Sequence, residues 1–263
     1  MSLKLSNKIA LVSGAGTGIG QGIAIELAKQ GAKVAVHYNS SDAGAKATQQ
    51  RILELGGECL IVQANVAHKH EIERMAAYVA ECFGGIDILV NNAAMQLNIG
   101  LLEYDESQYD HMIHVNLKGY WQCMQAVIPF MKMKNSGRIV LISSVHSKRP
   151  TDFDPVYAMT KGGMKMLCRE SALELARYGI TVNAVEPGAV DVGRKSGKPK
   201  DIIPVETNGD VIVKPRDVLL RKFPMGRIGT PQDVGQMVSY LCTDAADFIT
   251  GSSIRMDGAS MFF

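Results

Sequence analysis

The feature of this chain that most limits its architecture is an alternation. Short apolar runs of strand length are each followed by a longer segment in which apolar residues recur at helical spacing. The runs at 9–13, 33–37, 58–63, 86–91, 138–143 and 181–186 read as strands, and 253–256 supplies a short seventh. Between them, 18–30, 43–55, 70–83, 106–134, 157–178 and 231–242 read as helices. Gly31, Gly56 and Gly179 stand just beyond three of these, where a helix ends most easily on a residue that tolerates left-handed backbone. Thr230 followed by Pro231 is suited to cap and open the last one.

Sequential parallel strands joined by right-handed crossovers give a doubly wound parallel sheet of the Rossmann type, an α/β fold with its ligand crevice at the carboxyl ends of the strands. Residues 1–263 are expected to form one dinucleotide-binding and catalytic domain. The stretch 191–222 breaks the alternation, being rich in Gly, Pro, Lys and Asp with only 210–213 suggesting order, and is read as a substrate lid. Hydrophobic residues at 46% and charged residues at 21% exclude a disordered or fibrous chain. The net charge is +2, and the Lys-rich stretches near 132–134 and 194–200 are interrupted by apolar, Gly or Pro residues, which gives no footprint for nucleic acid. Residues 1–7 lack the apolar core of a signal peptide and no apolar run is long enough to span a bilayer, so a cytoplasmic protein with no membrane contact is expected. Five widely separated cysteines, with no Cys-x-x-Cys pair, read as free thiols rather than as metal ligands.

The first strand runs into Ser13-Gly14-Ala15-Gly16-Thr17-Gly18-Ile19-Gly20 and then directly into a helix. Glycines let the backbone turn sharply and approach a pyrophosphate, and the free N–H groups of a helix start favour its charge. A glycine-rich run by itself often makes only a tight loop. Its position between the first strand and a helix favours dinucleotide binding.

The spacing Gly14, Gly18, Gly20 resembles the pattern of the short-chain dehydrogenase/reductase family. The resemblance continues through Asn91-Asn92-Ala93-Ala94, Asn116, Ser144, Tyr157-x3-Lys161 and Pro187-Gly188, and so covers essentially the whole chain. Tyr157 and Lys161 share one helix face, and at that spacing a Tyr and a Lys are ordinarily a surface pair. The family pattern implies a catalytic group instead: Tyr157 as the base that takes the alcohol proton, Lys161 lowering its pKa and holding the nicotinamide ribose, Ser144 bonding the substrate oxygen, and Asn116 holding a relay water. A phenol with a pKa near 10 is a poor base at neutral pH unless a cation helps it. Ser144 is preferred to Ser143 by its interval of thirteen residues before Tyr157, the usual one in the family.

The implied cofactor contacts are Gly14, Thr17, Gly18, Ile19, Gly20, Tyr38, Asn39, Ser40, Asn65, Val66, Asn92, Ala93, Ala94, Tyr157, Lys161, Pro187, Gly188 and Val190. The end of the second strand, His37-Tyr38-Asn39-Ser40-Ser41, has no acid to repel a 2′-phosphate and no Arg to attract one. NADP or NAD is expected, with the balance tilted to NADP. Asn65, Ala94 and Val192 depart from the family's Asp, Gly and Thr, and Asp191 or Ser196 is a candidate for the lost carboxamide contact. Among branches, the chain looks most like bacterial glucose 1-dehydrogenases, through Ser143-Ser144-Val145-His146, Gly162-Gly163-Met164-Lys165 and Pro224-Met225-Gly226-Arg227-Ile228-Gly229. This implies oxidation of a sugar or polyol, with His146 and Gln96 beside Ser144 and Tyr157 as substrate contacts. The alternative is a 3-oxoacyl-acyl-carrier-protein reductase, with Arg194, Lys195, Lys198 and Lys200 as a docking patch. A non-catalytic dinucleotide-binding regulator would fit only if Ser144, Tyr157 or Lys161 were missing. The expected partners are a small-molecule substrate and further copies of this chain: the family pairs its long helices, here carrying Met112, Trp121, Met124, Met164, Leu167 and Leu175, into a homotetramer.

Overall fold

Seven strands lie side by side, all parallel, in a computed structural model that describes residues 3–151, 153–193 and 222–262. They are β1 (Ile9–Val12), β2 (Lys33–Tyr38), β3 (Cys59–Gln63), β4 (Ile88–Asn91), β5 (Gly137–Ile142), β6 (Ile180–Pro187) and β7 (Ser253–Met256). Their spatial order is β3-β2-β1-β4-β5-β6-β7. The chain starts in mid-sheet, winds out to β3, returns to β4 beside β1 and winds out the other way. That reversal leaves a crevice at the carboxyl ends of β1 and β4, where ligands of such sheets bind.

Helices α1 (Gly18–Lys29), α2 (Asp42–Glu54), α3 (Lys69–Phe83), α4 (Glu106–Ile113), α5 (Gly119–Met133), α6 (Pro155–Leu175) and α7 (Pro231–Leu241) cover the sheet. Successive strand residues face opposite ways, so the sheet supplies two cores. Leu11, Leu89, Ile139 and Val182 pack with Ile72 and Met75 of α3, Val127 of α5 and Met164 of α6. Val12, Val36, Val90 and Val185 pack with Ile23 and Leu27 of α1, Ile52 of α2 and Val238 of α7. The site therefore stands on strands that are buried on both faces and have little freedom to move.

The expected helix stops hold: Gly31, Gly56 and Gly179 take φ of +93°, +76° and +65°. At the start of α7 the Thr230 hydroxyl accepts from the Asp233 N–H while Asp233 reaches back, a reciprocal cap. The expected helix 106–134 differs, because a π-helical turn at His114–Lys118 separates α4 from α5. Such turns insert one extra residue and are frequent at functional sites. Helix α6 begins at Pro155 rather than 157, since Asp154 caps it. Four residues expected to form a surplus apolar surface for helix pairing, Met112, Met124, Met164 and Leu175, are buried within the single chain, whereas Trp121 is 46% exposed. The expected lid at 191–222 falls, from 194 to 221, outside the described residues. Among the described residues no helix is long and apolar enough to cross a membrane, and the five cysteines are free thiols.

Candidate active site

The loop between β1 and α1 is held in a shape that only glycine permits. Gly14 and Gly18 have φ of +63° and +57°, and a Cβ on Gly20 would lie 2.2 Å from the Gly14 carbonyl oxygen. Ser13 Oγ accepts from the N–H groups of Asn92 (2.9 Å) and Ala93 (3.0 Å), and Asn92 Nδ2 donates to the carbonyls of Ser13 (3.0 Å) and Gly14 (3.1 Å). The Asn92 amide nitrogen is thus spent on the glycine loop rather than left for a ligand. Thr17 caps α1 without a side-chain hydrogen bond, and no acid stands in the first turn, so Ile19 and its neighbours present free N–H groups at the positive end of the helix. A tight backbone approach, free helix-start donors and no competing anion fit a dinucleotide pyrophosphate. Gly20→Ala is expected to weaken NADPH and NADH binding at least about tenfold, roughly 1.4 kcal/mol, in a chain that still folds. Unchanged affinity in a fluorescence titration would remove the loop from the cofactor site.

His37, passed over in the sequence, is the keystone of this loop. It is buried, its Nδ1 accepts from the Gly14 N–H at 3.0 Å and its Nε2 lies 2.8 Å from the Ala64 carbonyl. These partners require the neutral tautomer protonated on Nε2, and burial holds its pKa below the ordinary value. A polar residue in a buried strand position was the available signal. At the same edge, Tyr38 donates to Asp42 at 3.1 Å, and Asp42 is paired with Lys46 at 2.8 Å. An acid therefore does reach the end of β2, from the first turn of α2. Asn39 holds Gln63 through its carbonyl at 2.9 Å, and Ser40 is exposed beside it. Asn65 turns its side-chain oxygen onto the Ala67 N–H at 2.9 Å, and Val66 is buried.

Tyr157 and Lys161 stand on the first turns of α6, facing the end of β5. Lys161 is 2% exposed. Its Nζ donates to the Ile142 carbonyl at 2.9 Å and lies 5.4 Å from the Tyr157 ring centroid. Ser143 Oγ donates to the Lys161 carbonyl at 3.0 Å, locking helix to strand, while Ser144 begins a short turn at Val145–Ser147 and faces Tyr157. Burial brings the Lys161 ammonium down to about 7. Burial raises the Tyr157 phenol above its ordinary value, a hydrogen bond with Ser144 lowers it, and the charge of Asp154 raises it further. Lys161 Nζ faces the Tyr157 ring, where its charged form favours the phenolate over the phenol.

Asn116 lies in the π-turn, fully buried, and clasps the backbone of Met95 with both ends of its amide: Oδ1 accepts from the N–H and Nδ2 donates to the carbonyl, each at 2.8 Å. Each end of the amide thus bonds the Met95 backbone, which braces the 95–98 loop. Gln96 is exposed between Met95 and Leu97, both anchored through their backbones. His146 stacks edge-on to Tyr157 with ring centroids 6.3 Å apart, and its Nδ1 lies 3.1 Å from the Pro150 carbonyl. Ala94 is exposed in the same loop.

At the end of β6 the fully buried Glu186 meets Lys148 Nζ at 2.6 Å and accepts from Ser147 Oγ at 3.1 Å, an ion pair that sequence reading missed. A carboxylate in a strand of otherwise apolar character was its signal. Lys148→Met is expected to destabilise the chain by about 3 kcal/mol near neutral pH, the scale of stranding a buried charge. Urea titration at neutral pH checks this, and equal midpoints for variant and parent would mean the pair stabilises nothing. Beyond Glu186, Pro187 ends the strand, a Cβ on Gly188 would meet Asp257 at 2.8 Å, and Val190 bridges to Gly229. Val192 packs against Gly18, and the exposed Asp191 accepts from the Gly193 N–H through Oδ1 at 3.0 Å. Ser196 and the basic residues Arg194, Lys195, Lys198 and Lys200 lie outside the described residues.

A doubly wound sheet, a glycine cradle at its switch point and a Ser-Tyr-Lys cluster across the crevice define a dinucleotide-dependent oxidoreductase. A family model described as "Enoyl-(Acyl carrier protein) reductase" matches residues 14–259. A 3-oxoacyl-[acyl-carrier-protein] reductase of Staphylococcus epidermidis is 36% identical over 252 residues, covering 96% of this chain and 98% of that one. A solved protein of Sinorhizobium meliloti, assigned by name to the short-chain alcohol dehydrogenases, is 33% identical with a TM-score of 0.89, covering 100% of this chain and 99% of that one. An acetoin dehydrogenase of Salmonella typhimurium is 26% identical with a TM-score of 0.83, covering 97% and 96%. The chain belongs to the short-chain dehydrogenase/reductase family, and it is an NAD(P)-dependent oxidoreductase acting on alcohol or carbonyl groups.

Proposed function

We propose that this chain reduces the 3-oxo group of an acyl thioester with NADP as the preferred dinucleotide, the proton coming from Tyr157. The observation that carries the reading is the near full-length likeness to a 3-oxoacyl-[acyl-carrier-protein] reductase, in a chain where Tyr157 stands beside the buried Lys161 and faces Ser144. With the proton that a tyrosine ordinarily carries at neutral pH, Tyr157 can act as the acid that carbonyl reduction needs. The glycine cradle and Lys161 would hold a nicotinamide dinucleotide, which would supply the hydride. Ser144 bonds the carbonyl oxygen, Tyr157 protonates it, and Lys161 stabilises the phenolate left behind. Asn116 acts through the Met95 backbone as a positioning residue.

The substrate class rests on the near full-length likeness to a protein named a 3-oxoacyl-[acyl-carrier-protein] reductase. The rim of the site supports it. Leu102 is 96% exposed and Leu101 and Phe153 are more than two thirds exposed, on segments that flank the loop at 95–98. Apolar side chains at a site mouth suit an acyl chain better than a hydrated polyol. The second reading, a glucose 1-dehydrogenase-like oxidation of a sugar or polyol, draws on the segments 143–146, 162–165 and 224–229, with Gln96 and with His146, whose ring stands beside Tyr157, as contacts. Free thiols agree with a reducing cytoplasmic location. A homotetramer, built now on Trp121, Met166 and Leu173 in place of the buried set, belongs to the same reading. Light scattering at the single-chain mass of 28.5 kDa would exclude it.

The purified chain, given acetoacetyl thioesters with NADPH or NADH and glucose with NADP or NAD, decides between the readings. Thioester reduction with NADPH is expected at a kcat/KM at least about tenfold above any glucose oxidation. Faster glucose oxidation would install the second reading, and no thioester turnover would discard the first.

A further inference from the structure

Three residues before Tyr157, Asp154 carries a carboxylate that the reaction described above does not use. It is 1% exposed and accepts four hydrogen bonds from three parts of the chain. Oδ1 accepts from the Tyr157 N–H at 3.1 Å, capping α6, and also from the Tyr104 hydroxyl. Oδ2 accepts from the N–H groups of Leu97 (3.0 Å) and Asn98 (2.9 Å). The Asp154 N–H in turn donates to Thr151 Oγ1 at 2.7 Å. One buried side chain thus joins the start of the helix that bears Tyr157 to both ends of the loop that runs from Leu97 to Tyr104.

We infer that Asp154 is a positioning residue, which couples the substrate-side loop to Tyr157 and sets both where the Tyr157 hydroxyl stands and how readily it ionises. A helix cap alone does not need this arrangement. Capping takes one acceptor oxygen, and Asn, Ser or Thr supplies it as well as Asp does. Here the second oxygen and the full charge are spent on two loop N–H groups and a phenol, a demand that a neutral amide meets with only one acceptor. Across the loop, Asn116 braces Met95 from the π-turn, so the 95–98 segment, with Gln96 between its anchors, is bolted to α6 on one side and to the helix α4–α5 on the other. A loop fixed in this way presents a rigid wall to a substrate, and its geometry cannot relax without moving Tyr157.

The charge has its own consequence. The ionisable groups around the Tyr157 ring are Lys161 from the same helix, His146 from the turn after β5, Tyr120 from α5, and Tyr104 by way of Asp154. Asp154 is the carboxylate among them, and its negative charge raises the Tyr157 phenol. It therefore favours the protonated acid that carbonyl reduction needs, and so the inference rests on Tyr157 being that acid.

The test uses the full chain with tyrosines labelled with 13C at Cζ, and the Tyr157 resonance is assigned by its loss in Tyr157→Phe. In Asp154→Asn the Tyr157 titration midpoint should fall by on the order of one pH unit, kcat for the carbonyl substrate should drop at least about tenfold, and the NADPH dissociation constant should change less than about twofold. Tyr104→Phe, which keeps the charge and the cap, should lower kcat/KM several-fold without lowering the midpoint, and it decides the matter if Asp154→Asn does not fold. An unmoved midpoint or parental kcat in Asp154→Asn, or parental kcat/KM in Tyr104→Phe, overturns the inference. The titration needs no substrate, so a parent chain inactive on every carbonyl would refute the proposed function while leaving the coupling to Tyr157 measurable.

Discussion

Tyr157→Phe is expected to lower turnover about 10³-fold, within the 10² to 10⁴ range of a lost acid–base group, while cofactor affinity stays within about twofold. The substitution removes one oxygen. The ring keeps its contacts with His146 and Lys161, and the cap from Asp154 goes to the Tyr157 backbone, which phenylalanine also offers. Stability should therefore fall by no more than about 1 kcal/mol, the net worth of one hydrogen bond. A loss confined to kcat, with NADPH binding intact by fluorescence, identifies a group needed for the chemistry alone. Residual turnover above about a tenth of the parent's would sink the assignment, because no other described side chain near Ser144 holds a proton in the same place.

Lys161→Met carries the second large effect, and it has a signature in stability as well as in rate. Methionine matches the stem in volume but cannot be charged. Without the ammonium the Tyr157 phenolate loses its cation, and turnover should fall at least 10²-fold. The pH dependence follows from the burial that brings the Lys161 amine from 10.5 down to about 7. Between those values the unfolded chain holds a proton on this lysine that the folded chain has released. Folding is therefore disfavoured by acid: the full penalty applies below about pH 7, and it is relieved as pH rises toward 10.5. Parent stability minus variant stability should climb across that window at up to about 1.4 kcal/mol per unit. The variant also removes the Lys161 hydrogen bond to the Ile142 carbonyl, which keeps its bond from the Tyr120 hydroxyl. Equilibrium unfolding at a series of pH values measures the difference, and a flat line would mean that Lys161 is not a buried amine with a lowered pKa.

Periodicity was enough to find the sheet. Each strand was legible because a strand buried on both faces must be apolar throughout, and each glycine-stopped helix because a left-handed stop leaves few other choices of residue. The glycine loop, Ser144, Tyr157 and Lys161 were legible for a related reason: their chemistry demands particular residue types at short spacings within one turn or one helix. The extent of the lid, the preferred dinucleotide and the substrate were not, since those depend on surfaces that many side chains can build.

What the chain by itself determined is the architecture and the grouping of Ser144, Tyr157 and Lys161 at one crevice, because both are written in local pattern. The tertiary structure alone decided how that cluster is held and charged. His37 is tied to Gly14 across 23 residues, Lys148 to Glu186 across 38, and Asp154 to Leu97 across 57. The π-turn at Asn116 interrupts a helix that the pattern presents as continuous. No spacing rule links such partners, since they meet only where strands end side by side. The raised Tyr157 and lowered Lys161 pKa values follow from the same packing, because desolvation depends on everything that surrounds a group and not on its neighbours in sequence.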